Sequence, residues 1–212
     1  MDSNALIALI FQLVVLIFSA IIHEIAHGAV AERLGDPTAR LAGRLTLNPL
    51  KHLDPFGSVI LPLGLYLLSG GAFVFGWAKP VPYNPYNLKN PRTGAAKIAA
   101  AGPLSNLFMA VVFGILLRTF YAVGYVQFAG FLGVIVYINI MLAIFNLVPL
   151  PPLDGSKVLL GVLRGSQSNA IADLLEHYGT ILLVLFLFWG IGLIQPIISV
   201  LYGIIVGSGF GI

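Results

Sequence analysis

Residues 19–30 read SAIIHEIAHGAV, which sets His23, Glu24 and His27 in the spacing H-E-x-x-H at the end of an uncharged run. On a helix, residues i and i+4 share one face, so both imidazoles can reach one Zn²⁺. Glu24 lies beside them, where it can take a proton from a water at such an ion. A helix ending near Glu32 puts Glu24 about 12 Å below that end. Polar groups at such depth are costly and usually line a cavity or bind something, so a proton or ion pathway in a transporter is the alternative reading.

Two histidines leave a catalytic zinc one protein donor short, since three plus an open position are usual. The candidates for the third are His52, Asp54, Asp154, His177 and a few distant acids. Asp154 stands out in FNLVPLPPLDGSK, where three prolines end a helix and Gly155 permits a tight turn. Its carboxylate can point back into the membrane or cap a helix starting near Ser156, and the residues alone leave both readings open. Two histidines and a carboxylate also suit Fe(II).

The elements that must position these groups belong to a membrane protein. Of 212 residues, 58% are hydrophobic and only 9% charged, and mean hydropathy is +0.98. A soluble domain carries about 25% charged residues. The net charge of +3 does not point to nucleic acid, because the few cations sit in short loops and mark a cytoplasmic face instead. With no cysteine, disulfides, thiolate metal sites and cysteine nucleophiles are excluded. The first apolar run follows Asp2 and lacks a small-residue cleavage site, so it is expected to be a retained helix rather than a signal peptide.

That helix should run from residue 3 to about Arg33 and stop at Gly35-Asp36-Pro37. Residues 38–53 alternate in part and suggest short strands. The uncharged interval 55–78 is broken by Pro62, Gly64, Gly70, Gly71 and Gly76 and has basic flanks on both sides, which suggests a re-entrant element. Helices are expected at 98–117 and from about Phe131 to Phe145, with a turn around Gly124–Gly130. Residues 178–212 fit either a long broken helix or a hairpin. The expected fold is an all-α polytopic membrane protein of about five to six transmembrane segments, with a short β-rich or re-entrant element after the first helix. It forms one unit over 1–212, with a core at 3–157 and C-terminal apolar segments at 169–212. The cations place the end of the first helix on the cytoplasmic side.

Several motifs together resemble the site-2 protease family of intramembrane zinc metalloproteases, peptidase family M50. They are His23-Glu24-Ile25-Ala26-His27, Gly102-Pro103-Leu104-Ser105-Asn106, and Asn146 through Leu153-Asp154-Gly155, supported by His52 to Gly57 and Gly76 to Pro80. The resemblance runs from about Phe11 to Lys157, in the family's order, and is to the compact form without PDZ or CBS domains. It implies one Zn²⁺ per chain held by His23, His27 and Asp154, with Glu24 as general base. It makes Asn106, Asn139 and Asn146 candidates to hold the substrate backbone or orient the zinc ligands, against the alternative that they are packing hydrogen bonds. It implies single-span membrane proteins as substrates. The compact size without a transit peptide favours a prokaryotic cell membrane, and the distribution of Lys and Arg a site opening toward the cytoplasm. Strand pairing by residues 40–75, with Gly70 and Gly71, is the expected means of unwinding a substrate.

Overall fold

The computed structural model describes residues 3–68, 79–163 and 166–207. Helix α1, Ser3–Arg33, is 31 residues long, about 46 Å. It ends where expected, through a Schellman closure: Gly35 at φ 102° donates to Glu32 O, and Asp36 N donates to Ala31 O. Ten helical steps, about 15 Å, separate His23 from the basic rim at Arg33.

Among the described residues the expected β-rich or re-entrant element is not found. Among the described residues there is no strand. Residues 38–53 form the short helix α2, Thr38–Leu41, and a 3-10 turn at Pro49–Lys51. Their partial alternation reflects side chains folded onto local backbone: Asn48 Oδ1 accepts from Leu50 N, and the His52 imidazole donates through Nε2 to Thr46 O. A π-helical turn at Pro55–Ile60, capped by Asp54 on Gly57 N, leads directly into α3, Leu61–Leu68. Gly70, Gly71, Gly76 and Trp77 lie outside the described residues, so the strand-pairing expectation loses its strands at 38–48.

Among the described residues the number of candidate spans is also lower than the expected five to six. Four helices among the described residues are long and apolar enough to cross a bilayer: α1, α4 (Pro91–Ala122), α5 (Val126–Asn146) and a continuous stretch within 168–206. The last joins α7, Ser166–Leu185, to α8, Ile191–Val206, through a π-helical turn at Phe186–Gly190, so the C-terminal region is one long helix and not a hairpin. Helix α4 begins earlier than its apolar core because Asn90 Oδ1 caps Thr93 N and Pro91 occupies the first turn. The short α6, Asp154–Val162, follows the proline-rich segment, whose Pro151–Pro152 peptide is cis.

Helix α4 is the centre of the bundle, packed along α1, α5 and α6. Helices α1 and α5 run parallel with a constant offset of 120 residues: Phe11 meets Phe131 edge-on at 5.1 Å, and Asn139 Nδ2 donates to Ser19 Oγ at 2.9 Å. The core between α4, α5 and α8 holds Leu117, Val136, Ile140 and Ile198, each almost fully buried. Arg118 closes the end of α8 by donating to Ile204 O and Val206 O. Large apolar side chains such as Ile7, Phe108 and Leu193 point outward, as in a chain whose solvent is lipid.

Candidate metal centre

His23 and His27 stand one above the other on α1 and are both buried, their rings edge to face at 4.6 Å between centroids. Asp154, the first residue of α6, makes no capping bond to its own helix. Its Oδ2 lies 3.0 Å from His23 Nε2 and 3.1 Å from His27 Nε2. One reading left open by the residues, a helix cap at Asp154, is thus not what the carboxylate does.

The partners on the far side of each ring fix its tautomer. His27 Nδ1 lies 2.6 Å from Ile98 O, a carbonyl that only accepts, so Nδ1 carries the proton. His23 Nδ1 lies 2.5 Å from Asn106 Oδ1. The Asn106 amide is oriented because its Nδ2 donates to Ser19 O at 3.3 Å and to Asn139 Oδ1 at 2.9 Å. Both Nε2 atoms therefore present lone pairs, and both face the same carboxylate oxygen. Three acceptors turned on one another repel unless a cation joins them. With bonds of about 2.1 Å, neighbouring donors of a tetrahedral zinc stand about 3.4 Å apart, close to the separations found. The donor set fits a metal ion, and the ligand atoms of His23, His27 and Asp154 all lie within 4.8 Å of one another.

Two glycines make the room. A Cβ at Gly102 would lie 2.4 Å from His23 Nε2 and 2.5 Å from His27 Cε1, so only glycine lets α4 pass the rings. A Cβ at Gly155 would lie 2.2 Å from Leu147 O, so the loop can double back behind Asp154 only with glycine there.

Glu24 lines the same cavity, about 150 Å³ in volume. Its Oε2 accepts from Val81 N at 2.8 Å. Val81 sits between Pro80 and Pro82, which have no N–H, so the strap over the site offers one main-chain donor in three residues and gives it to Glu24. The buried Arg44 holds the strap from behind, donating through Nη2 to Lys79 O at 2.5 Å and Pro80 O at 3.3 Å. Lys157, over the Tyr83 ring at 5.7 Å, ties the strap to α6.

The remaining sequence candidates separate. Asn146 lines the cavity and donates to Leu142 O, whereas Asn139 is fully buried behind Asn106 and touches no open space. His52 serves the loop at Thr46, Asp54 caps the π-helical turn, and the exposed His177 stays on its own helix near Asp173 O. Ser19, the strap and Arg44 were not legible as parts of the site, although the P-V-P run and an arginine in an apolar loop were signals of a kind.

Farther out, Asp36 is buried and collects Thr38 N, Thr38 Oγ1 and Asn87 Nδ2 on Oδ1, with Asn84 N on Oδ2. Burial pushes its carboxyl up, but the four donors outweigh that and hold it below the ordinary value of 3.8.

Residues 11–129 and 118–189 match peptidase family M50. The chain belongs to that family. A Bacillus subtilis protein named "Putative zinc metalloprotease YwhC" is 39% identical over 188 residues, spanning 83% of this chain and 80% of the relative. "Putative zinc metalloprotease Rip2" of Mycolicibacterium smegmatis is 30% identical over 81% of this chain, which spans 64% of that longer relative. "Putative zinc metalloprotease MJ0611" of Methanocaldococcus jannaschii is 33% identical over 73% of this chain and 72% of its own. No solved structure matches. Membership in M50, with a buried His/His/Asp cluster on a multi-pass membrane fold, displaces the transporter alternative.

Proposed function

We propose that this intramembrane zinc metalloprotease holds a single Zn²⁺ on His23, His27 and Asp154, with Glu24 as general base, and cuts single-span membrane proteins at a site open toward the cytoplasm. The observation that carries the reading is the convergence of two Nε2 lone pairs on Asp154 Oδ2 at 3.0 and 3.1 Å. The cations around the end of α1, Arg33, Arg40 and Arg44, support the orientation.

Zinc bound there would polarise the scissile carbonyl and lower the pKa of the attacking water. The chain's own groups do the rest. Val81 N–H fixes Glu24 Oε2, leaving Oε1 to take the proton of the attacking water and pass it to the leaving amine. Asn106 and Ile98 O keep both imidazoles in the tautomer that turns Nε2 to the cavity. A helix with its side chains is about 10–12 Å across, too wide for a cavity of 150 Å³, so a substrate must be extended where it is cut. A helical peptide bond in lipid is otherwise protected by its own hydrogen bond and by the lack of water.

The test is metal analysis of the purified chain together with a fluorogenic transmembrane substrate. One zinc per chain, kept in Glu24→Gln while cleavage disappears, is the expected result. Full cleavage by Glu24→Gln, or a wild-type chain that binds no zinc, overturns the assignment.

A further inference from the structure

A second cavity, of about 300 Å³, opens between the end of α1 and the start of α4. Arg33, Lys89 and Lys97 line it with Thr93, and Leu34 and Leu88 form its apolar side. No acidic residue lines it. Most other cations of the chain already have protein partners. Arg40 pairs with Glu32, Arg44 holds the strap, Arg92 donates to Leu160 O, Leu163 O and Ser168 Oγ, Arg118 closes α8, and Lys157 covers Tyr83. By contrast, Arg33, Lys89 and Lys97 are exposed, and none of the three makes an ion pair or hydrogen bond among the described residues. Three like charges around one hollow repel one another, and the first turn of α4 adds its positive dipole end. A concentration of unneutralised cations over an apolar floor, at the end of a spanning helix, is the chemistry of an anionic lipid headgroup site.

We propose that this cavity binds the phosphate of an anionic glycerophospholipid, with Arg33, Lys89 and Lys97 on the phosphate oxygens, Thr93 Oγ1 as a neutral donor, and Leu34 and Leu88 against the glycerol and first methylenes. The floor of the cavity is continuous with the site, because Leu88 packs with Ala31 and Ile98, and the Ile98 carbonyl holds His27. An occupant therefore bears on the end of α1, the helix that carries both histidine ligands, and on the first turns of α4, which hold His27 through Ile98 O.

The experiment uses the full chain in a neutral detergent, titrated with phosphatidylglycerol, phosphatidylcholine or soluble glycerol 3-phosphate, with bound lipid read by native mass spectrometry and stability by thermal unfolding. Phosphatidylglycerol is expected to be retained and to raise the melting temperature, and the other two are not. Arg33→Gln/Lys97→Gln should bind phosphatidylglycerol about 25-fold more weakly, each cation near the membrane surface contributing about fivefold. Lys51→Gln/Lys79→Gln, which removes the same charge elsewhere, should bind as wild type does. Thr93→Glu separates folding from binding: a carboxylate in the first turn of α4 favours the helix, yet it should abolish lipid retention. Equal losses in the two double variants would reduce the effect to overall charge and overturn the site. Binding of glycerol 3-phosphate as tight as that of the lipid would make it a soluble phosphate site and overturn the lipid assignment. Undiminished retention by Thr93→Glu would place the lipid elsewhere.

Discussion

His23 and Asn106, 83 residues apart in sequence, meet at 2.5 Å between Nδ1 and Oδ1 in the buried interior of the bundle. Asn106 cannot turn its amide over, because Ser19 O and Asn139 Oδ1 both require its Nδ2. The ring of His23 is thereby locked with its other nitrogen toward Asp154. Replacing Asn106 with Ala should weaken zinc binding by about 10–100-fold, the usual effect of losing a partner behind a metal ligand. Competition with a chromophoric chelator measures it, and Asn106→Asp, which keeps the acceptor but loses the donor, should fall between.

Gly102→Ala should be more severe. The added carbon would overlap both imidazoles, and the neighbours on that side are the ligands themselves. The expected result is a folded chain whose zinc content falls toward zero, seen by elemental analysis alongside a near-native helical circular dichroism spectrum.

Arg44→Met should separate metal binding from catalysis. It leaves the Lys79 and Pro80 carbonyls without their donor, at about 1–3 kcal/mol for each buried group, and frees the strap that fixes Glu24. Zinc should remain at one per chain while kcat falls on the order of 100-fold through misplacement of the base. A variant with normal kcat would show that the strap does not position Glu24.

Asp36 makes a pH prediction. Its carboxyl is held below its ordinary value when folded, so its contribution is complete above about 3.8 and fades as pH falls through the lower folded value. Melting temperature in detergent should drop below pH 4 in wild type and drop less steeply in Asp36→Asn. At pH 7 that variant should already be about 1–3 kcal/mol less stable, because one amide end must face Asn84 N–H, donor against donor.

How much of this was legible in the residues depends on how local the determinant is. His23, Glu24 and His27 follow from helical periodicity alone. Asp154 needed the family's motif, since its meeting with the histidines crosses more than 120 residues and depends on Gly155 and on α4. The strand reading of 38–53 failed because alternation there serves side chain to backbone bonds, as at Asn48 and His52, with no partner strand beside it. Asn139 illustrates a different limit. A buried amide must bond to something, but only the parallel alignment of α1 and α5 shows that Ser19 and Asn106 are its partners and that it is too deep to touch a substrate. The C-terminal region read equally well as a hairpin because Gly190, Gly192 and Pro196 are poor helix formers, yet a π-helical turn ending at Gly190 joins α7 to α8, which runs on through Gly192 and Pro196.

Nine residues of α1 lie between His23 and Arg33, and that length sets the outcome for whatever is severed beside it. A membrane anchor needs about 20 apolar residues to stay put. The stub left on the Arg33 side would have about ten, so hydrolysis at this level should be enough, without an extraction motor, to let the severed domain drift free into water.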